Sequence, residues 1–357
     1  MRSRCGRGVV ELWSNIFFTK EIMPINPEVY LKRNLFHEGL AMVATRDGFG
    51  EGLVLAGEME PNLVVLCADL TESTRTQAFK EKFPERFIQL GVSEQSLAAI
   101  AAGLALAGKI PFITSYACFS PGRNWEQIRT TACLQKVNVK IAGAHAGVTV
   151  GPDGATHQMT EDLALMRVLP NMTVLVPCDS VETSKVVLAA VKHPGPVYLR
   201  FGREKTPVFT TAKTPFQIGR ASVFNNGADL LIVAIGPLLH EALIASERLL
   251  EKGIKASVLN AVSLKPFDEE GFLALAKNCG AVVTVEEAQA VGGLGGLVAE
   301  LLGQYAPMPL ERVGLGDVFG QSGTPRELLE FYKLTAPHIA RAGERAVKRK
   351  LLAKKLK

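Results

Sequence analysis

Several things are absent from this chain of 357 residues, and each absence excludes a class of function. No uncharged run reaches the roughly 20 residues of a membrane-spanning helix, and the long apolar stretches are strand-sized or broken by glycine. A soluble protein is expected, with no membrane partner. The six cysteines show no CxxC spacing and lie mostly in apolar contexts, which predicts reduced, buried thiols in a cytoplasm rather than a disulfide framework or zinc site. Nor is a secretion signal expected: Glu11 and Asn15 interrupt the semi-apolar stretch behind the first basic residues, and no small-residue cleavage site follows. Met23 opens the more natural beginning MPINPEVYLKRNLFHEG, so the true start is expected there.

A basic globular face is missing too, despite the net charge of +5. The tail RAGERAVKRKLLAKKLK, residues 341–357, carries +7 and leaves about −2 for the rest. Nucleic acid is therefore not an expected partner, and the tail reads as a solvated helical extension. Internal repeats are absent.

What is present is alternation. From residue 45 the helical stretch TRDGFGEGLVLAGEM leads to NLVVLCA, FIQL, a small-residue helix, IPFITS, the helix RNWEQIRTTACL, VKIAGA, a long loop, TVLVP, a helix from Val181, and VYLR. Short β-branched runs separated by helices predict a parallel sheet covered on both faces, with function in loops at the carboxyl ends of the strands. A Pro- and Thr-rich seam near 204–218 follows. Beyond it the alternation restarts with ADLLIVAIG, a helix from Leu239, IKASVLNA, a helix from Asp268, AVVTVEE, a Gly-rich helix from Val291, and LERVGL. The expected fold is α/β, with two three-layer domains and mainly parallel sheets. Its expected parts are an arm over 1–36, a first domain over 37–205, a linker over 206–218, a second domain over 219–340 and the tail.

Two segments draw attention as chemistry. In LGVSEQSLAAIAAGLALAG, residues 90–108, Glu94 stands before fourteen uncharged residues. It is either a helix start, capped by Ser93 with Glu94 facing the positive end of the dipole, or a functional carboxyl group. The loop HAGVTVGPDGATHQ, residues 145–158, sets His145, Asp153 and His157 among three glycines after a buried strand. Glycines let backbone approach a ligand, and histidines polarise hydroxyls near neutral pH. No metal-ligand spacing accompanies them.

The SEQ motif with its small-residue helix, SYACFSPGRNWEQIR, GPDGATHQ running into EDLALMRVLPNM, and GDVFGQSGTPRELLEFYKL occur in this order. Together, from about residue 37 to 340, they resemble the carboxyl-terminal half of transketolase. The resemblance implies a pyrimidine-binding domain for thiamine diphosphate followed by the transketolase C-terminal domain. The GDG motif with its downstream Asn, which in the family holds the diphosphate and its divalent metal, does not occur in this chain. It therefore resembles one subunit of a split transketolase. The N-terminal subunit would be its partner, supply the diphosphate site and Mg2+, and assemble as two copies of each chain.

By resemblance, Glu94 hydrogen-bonds the pyrimidine N1′ and drives the proton transfers of the cofactor, helped by an apolar setting that favours a protonated carboxyl group. Tyr116 and Phe119 match the aromatic residues packing on the pyrimidine. Asp153 and His157 match residues binding the sugar hydroxyls next to the reacting carbon, and His145 matches a second channel histidine. Arg46, Ser73 and Arg203 match the phosphate-holding group at the channel mouth, and Asp69 falls at the site edge. A third aromatic seen in some members is replaced by Gly122, beside Trp125. The implied activity is transfer of a two-carbon ketol unit from a ketose phosphate to an aldose phosphate. Alternatives are 1-deoxyxylulose-5-phosphate synthase, a specialised sugar transketolase, the beta subunit of a 2-oxo acid dehydrogenase, and a non-catalytic binding remnant.

Overall fold

The computed structural model describes residues 25–36 and 39–355. The expected start at Met23, most of the arm, and Cys5 lie outside them. In chain order the first half runs β1 (Met42–Ala44), α1 (Thr45–Met59), β2 (Leu63–Cys67), α2 (Gln77–Lys82), β3 (Phe87–Gln89), α3 (Glu94–Leu106) and β4 (Ile110–Tyr116). It continues with α4 (Trp125–Gln127), which passes into a π-helical stretch at Ile128–Cys133, then β5 (Lys140–Ala144), α5 (Asp162–Arg167), β6 (Thr173–Leu175), α6 (Ser180–Lys192), β7 (Val197–Arg200) and β8 (Lys205–Pro207). The second half comprises β9 (Ser222–Asn225), β10 (Leu230–Ala234), α7 (Leu238–Leu250), β11 (Ala256–Asn260), β12 (Ser263–Lys265) and α8 (Glu269–Cys279). It ends with β13 (Val282–Gln289), α9 (Leu294–Tyr305), β14 (Leu310–Leu315), α10 (Pro325–Phe331) and α11 (Ala336–Lys355).

The expected α/β fold is present. The first sheet has the strand order β12-β6-β7-β5-β4-β2-β3 and the second β14-β13-β10-β11-β9. All pairings within them are parallel except β12 with β6 and β9 with β11. Strand periodicity explains the layering: in β2, Val64 and Leu66 join the apolar cluster beneath α3, while Leu63 and Val65 join Phe49 and Leu53 of α1 and Val186 and Val187 of α6 on the other face. Crossover helices cover both sides, so the carboxyl ends of the strands share one edge, and on that edge the loops gather.

Four features differ from the sequence expectation. Strand β12, which local pattern did not single out, leaves the second half to edge the first sheet beside β6. The arm packs into the second half, with Val29 and Leu35 buried in the cluster of Phe224, Leu239 and Leu243. The seam is no loose linker: Phe209 and Thr210 are fully buried and both donate backbone N–H groups to Asp179 Oδ2. The tail is helical as expected but only half solvated. Ala342 and Ala346 are buried, Arg345 and Arg349 pair with Glu311, and Lys350 donates to the carbonyls of Asp229 and Cys279. An amphipathic 20-residue helix gains more from burying its alanine face than from full hydration. Cys67, Cys133, Cys178 and Cys279 are buried free thiols, as expected, and Cys118 is half-buried.

A buried polar knot joins the halves behind this edge. Asp179 caps α6 through Glu182 N, and Glu182 accepts from Cys178 N and from Asn260 of β11, both at 2.7 Å. Burial pushes the Glu182 carboxyl up to about 7 against those hydrogen bonds, from an ordinary 4.5. Between these two values the native state holds a proton that the unfolded chain has released, so stability falls as pH rises through the window. Glu182→Gln is expected to remove a slope of at most about 1.4 kcal/mol per pH unit. Denaturant unfolding at pH 5, 6 and 7 checks this; an unchanged slope in the variant would assign the dependence elsewhere.

Candidate functional site

The strand edge brings together residues far apart in sequence. Strands β4 and β5 pair in register, Tyr116 opposite Ala144, so the next residue, His145, lies on the Tyr116 ring with centroids 3.9 Å apart. Phe119 is near parallel to Tyr116 at 6.0 Å. His157 presents its edge to both rings, at 5.6 Å from Phe119 and 6.3 Å from Tyr116, and its Nδ1 lies 2.9 Å from Thr156 Oγ1. These four rings form one aromatic wall.

Glu94 opens α3 beside this wall. It is only 2% exposed, and Ser93 makes no side-chain cap, its hydroxyl going instead to Leu90 O at 3.0 Å. The helix-start reading therefore lacks its capping bond. Glu94 Oε1 accepts weakly from Ser115 Oγ at 3.4 Å, and Asn124 Nδ2 donates to the Glu94 carbonyl at 2.9 Å. Arg123 Nη1 donates to Oε2 at 3.1 Å, and its guanidinium lies 5.0 Å from the Phe119 centroid. The setting is thus less apolar than the sequence suggests. Arg123, Ser115 and Asn124 were missed by sequence reasoning, and nothing local marks them. The helix itself is buried on one face alone: Leu97, Ala98, Ala101 and Ala102 are inside, whereas Gln95, Ser96, Ala99, Ile100 and Gly103 face outward.

The expected phosphate group meets in part. Arg46, at the start of α1, donates Nη1 to Ser73 O at 3.1 Å and lies 3.5 Å from His145 Nε2. Arg203 reaches the same field from the end of β7 but spends its charge on Asp153, at 3.3 Å to both carboxylate oxygens, with a further bond to Val150 O at 3.2 Å. The expected sugar ligand and the expected phosphate ligand are therefore each other's partners in this chain. Asp69 is exposed at the rim with φ 60°, its N–H held by Gln89 Oε1.

Desolvation and surrounding cations tune the group. Burial, then Arg46 and Arg203, push the His145 imidazole down to about 3. Burial and Arg75 likewise lower the Arg46 guanidinium. His145 Nδ1 and Arg46 Nε are buried without a hydrogen-bond partner. Buried polar atoms are seldom left unpaired, and two in one cluster fit a site shaped for a polar ligand.

The loop 145–158 is locked from outside. Gln158 donates to Val148 O, Gly151 O and Gln321 O at 3.1, 3.0 and 2.9 Å, which ties DGATHQ to the GQSG segment of the second half. Gly147 has φ 86°, and a Cβ there would stand 2.2 Å from Glu287 Oε1. Gly122 is compulsory for another reason: any Cβ would lie 2.0 Å from the Cys118 carbonyl oxygen. Hence no aromatic wall can arise at 122. Nor does Trp125 replace it, since its indole N–H goes to Leu165 O and its ring packs on the core. Among the described residues no three His, Cys, Asp or Glu side chains converge as a metal site, and no helix is long and apolar enough to cross a membrane.

Residues 41–208 match the pyrimidine-binding domain of transketolase, and residues 219–339 match the transketolase C-terminal domain. The chain belongs to the transketolase family. It is 45% identical to a protein of Methanocaldococcus jannaschii described as a transketolase C-terminal section, over 83% of this chain and 94% of that one. It is 39% identical to the 6-deoxy-6-sulfo-D-fructose transketolase subunit SqwH of Clostridium sp., over 85% and 95% of the two chains. Among solved structures, a split-gene transketolase described as an inactive beta4 tetramer superimposes with a TM-score of 0.81 at 47% identity, over 86% of this chain and 99% of that one. Transketolase from Leishmania mexicana matches with a TM-score of 0.72 at 26% identity, and there the chain spans 48% of the relative. The chain covers nearly the full length of these C-terminal-section and subunit relatives, and its pyrimidine-binding domain implies dependence on thiamine diphosphate.

His145 packs inward on the Tyr116 ring. Its lowered pKa, a weakened basicity, keeps the ring neutral, able to donate one hydrogen bond and accept another but not to carry charge. Nitrogen-15 shifts of labelled histidine are expected to show His145 neutral from pH 8 to pH 5. A protonation midpoint above pH 6 would show that the ring is solvated and the packing on Tyr116 open.

Proposed function

We propose that this chain is the pyrimidine-side subunit of a ketol transferase, complete only when joined to an N-terminal subunit that holds the diphosphate and Mg2+ of thiamine diphosphate. The observation that carries the reading is Glu94: a buried carboxyl group at a helix mouth, uncapped by its neighbour, beside an aromatic wall. Tyr116 and Phe119 would hold the flat pyrimidine, and Glu94 would bond its ring nitrogen. The unpartnered polar atoms of His145 and Arg46 support a polar ligand in the same place. When bound, thiamine diphosphate supplies the nucleophilic carbon and the electron sink needed to break a carbon–carbon bond.

The chain's own share is positioning, proton handling and recognition. Glu94 holds or releases a proton at the pyrimidine nitrogen. His157 is placed to bind a substrate hydroxyl and hand a proton to or from it. Neutral His145 orients a hydroxyl without adding charge. Arg46, with Ser73 beside it, and Arg203 offer guanidinium donors to a phosphate, and a substrate must then compete with Asp153 for Arg203. The uncharged outward face of α3 suits a partner subunit. Subunit relatives are described as acting on a sulfo-sugar and on apulose 4-phosphate, so the donor and acceptor are proposed only as a ketose phosphate and an aldose phosphate. The 1-deoxyxylulose-5-phosphate synthases match with about half their length, 46% in one case, which favours a split transketolase over that reading. A cytoplasmic location and an assembly of two copies of each subunit belong to the same proposal.

The test is reconstitution with the N-terminal subunit and an assay of two-carbon transfer between sugar phosphates. Glu94→Gln keeps shape but cannot carry the proton. Exchange of the thiazolium proton in the complex, followed by NMR, is expected to slow by about 10²–10⁴-fold. Unchanged exchange would return Glu94 to a structural role.

Arg203→Ala is expected to weaken use of a ketose phosphate donor by roughly 1.5–3 kcal/mol, less whatever Asp153 already takes from the contact. Hydroxypyruvate, which has no phosphate, should be nearly unaffected. Comparing kcat/KM for the two donors isolates the phosphate contact, because general damage would lower both alike.

A further inference from the structure

The second half carries a basic pocket whose lining shares no residue with the candidate site. Where β14 meets the α10–α11 connection and the first turns of α11, a cavity of about 620 Å³ opens to solvent. Its side-chain lining includes Arg312, Lys333, His338, Arg341 and Arg345, together with Phe331, and contains no carboxylate.

Nearby acids are committed elsewhere or satisfy only the rim. Arg345 is paired with Glu311 at 2.9 Å, and Arg312 donates to Ala290 O at 2.9 Å. Glu330 takes Arg326 and Thr335 and also stands 3.9 Å from His338 Nδ1 at the pocket rim, while Glu344 takes Lys252. Lys333 and Arg341 form no ion pair among the described residues. Their charges reach His338, whose imidazole is lowered by desolvation first, then by Arg341 and Lys333, with Glu330 opposing. The pocket therefore concentrates like charge in a concave space, a field that attracts anions.

Two further observations narrow the ligand. Phe331 is 61% exposed at the pocket wall and stands edge-on to Tyr332 at 5.0 Å, and Tyr332 is anchored by its hydroxyl to Phe319 O at 3.2 Å. A flat apolar ring is thus held in water beside cations, which is a platform for stacking a base. Lys333 occupies the left-handed region at φ 60° just after α10. Glycine is the usual residue after a helix end, so the long cationic side chain is kept at some conformational cost.

We propose that this pocket binds a nucleoside phosphate, with its phosphates on Lys333 and Arg341 and its base on Phe331. Inorganic phosphate or a sugar phosphate would engage the cations but leave the ring unused. The contact is electrostatic at an exposed site, so added salt weakens it.

Isothermal titration of the full chain with ADP, ribose 5-phosphate and inorganic phosphate, at one low ionic strength, tests this. ADP is expected to bind most tightly. The double variant Lys333→Ala/Arg341→Ala is expected to lose at least about tenfold in ADP affinity. Phe331→Ala should weaken ADP and leave phosphate unchanged, and Arg203→Ala, at the other site, should leave ADP unchanged. Phe331, Lys333 and Arg341 are exposed and Arg203 is part-buried, and circular dichroism of each variant verifies its fold. The proposal is overturned if ADP does not bind, if it binds the double variant as well as the parent, or if phosphate and ribose 5-phosphate match it.

Discussion

One buried arginine, ion-paired within the first half and hydrogen-bonded to the second, ties the two halves together. Arg200, at the end of β7, donates Nε to Asp162 at 2.8 Å and Nη2 to the Glu287 carbonyl of β13 at 2.7 Å, while the Tyr198 hydroxyl donates to the same Asp162 oxygen at 2.7 Å. Arg200 and Asp162 are both buried, at 4% and 0% exposure. Burial alone would lower the guanidinium, but Asp162 and Glu287 outweigh it and hold Arg200 above its ordinary value. Removing one member of such a pair leaves an uncompensated buried charge, a loss of about 3–5 kcal/mol.

The functional loops hang on that joint. Glu287, whose carbonyl takes Arg200, also accepts Thr149 N at 2.7 Å and fills the space left by Gly147. Gln158 ties the far end of the same loop to Gln321. The loop that carries His145, Asp153 and His157 is therefore fixed at several points by the second half, although its aromatic partners come from β4 of the first. The second half is, in this sense, a frame for the first half's chemistry.

The same edge carries the proposed site. Glu94 lies at the mouth of a helix with one small-residue face turned outward, and Arg123 bridges its carboxylate to the Phe119 ring. A planar guanidinium that donates to Glu94 and lies near Phe119 makes the kinds of contact an aminopyrimidine would make. The geometry is suited to a flat cationic or amidine-like group, whichever molecule provides it.

The sequence by itself determined the elements and the strand edge. Helix α1, the strands β2, β4 and β5, and the restart of alternation at β10 follow from period and propensity, which are local properties of neighbouring residues. The motifs also placed Tyr116 at the end of β4 and His145 and His157 in the loop after the neighbouring β5, because parallel strands joined by helices must share one carboxyl edge. The tertiary structure decided what no local pattern encodes. It sent β12 to the first sheet and Val29 to the second core, paired Arg203 with Asp153, brought Arg123 to Glu94, and forbade a side chain at Gly122 by the position of one carbonyl oxygen. Each of these depends on atoms distant in sequence competing for the same space or charge, and that competition is settled only when the halves have packed.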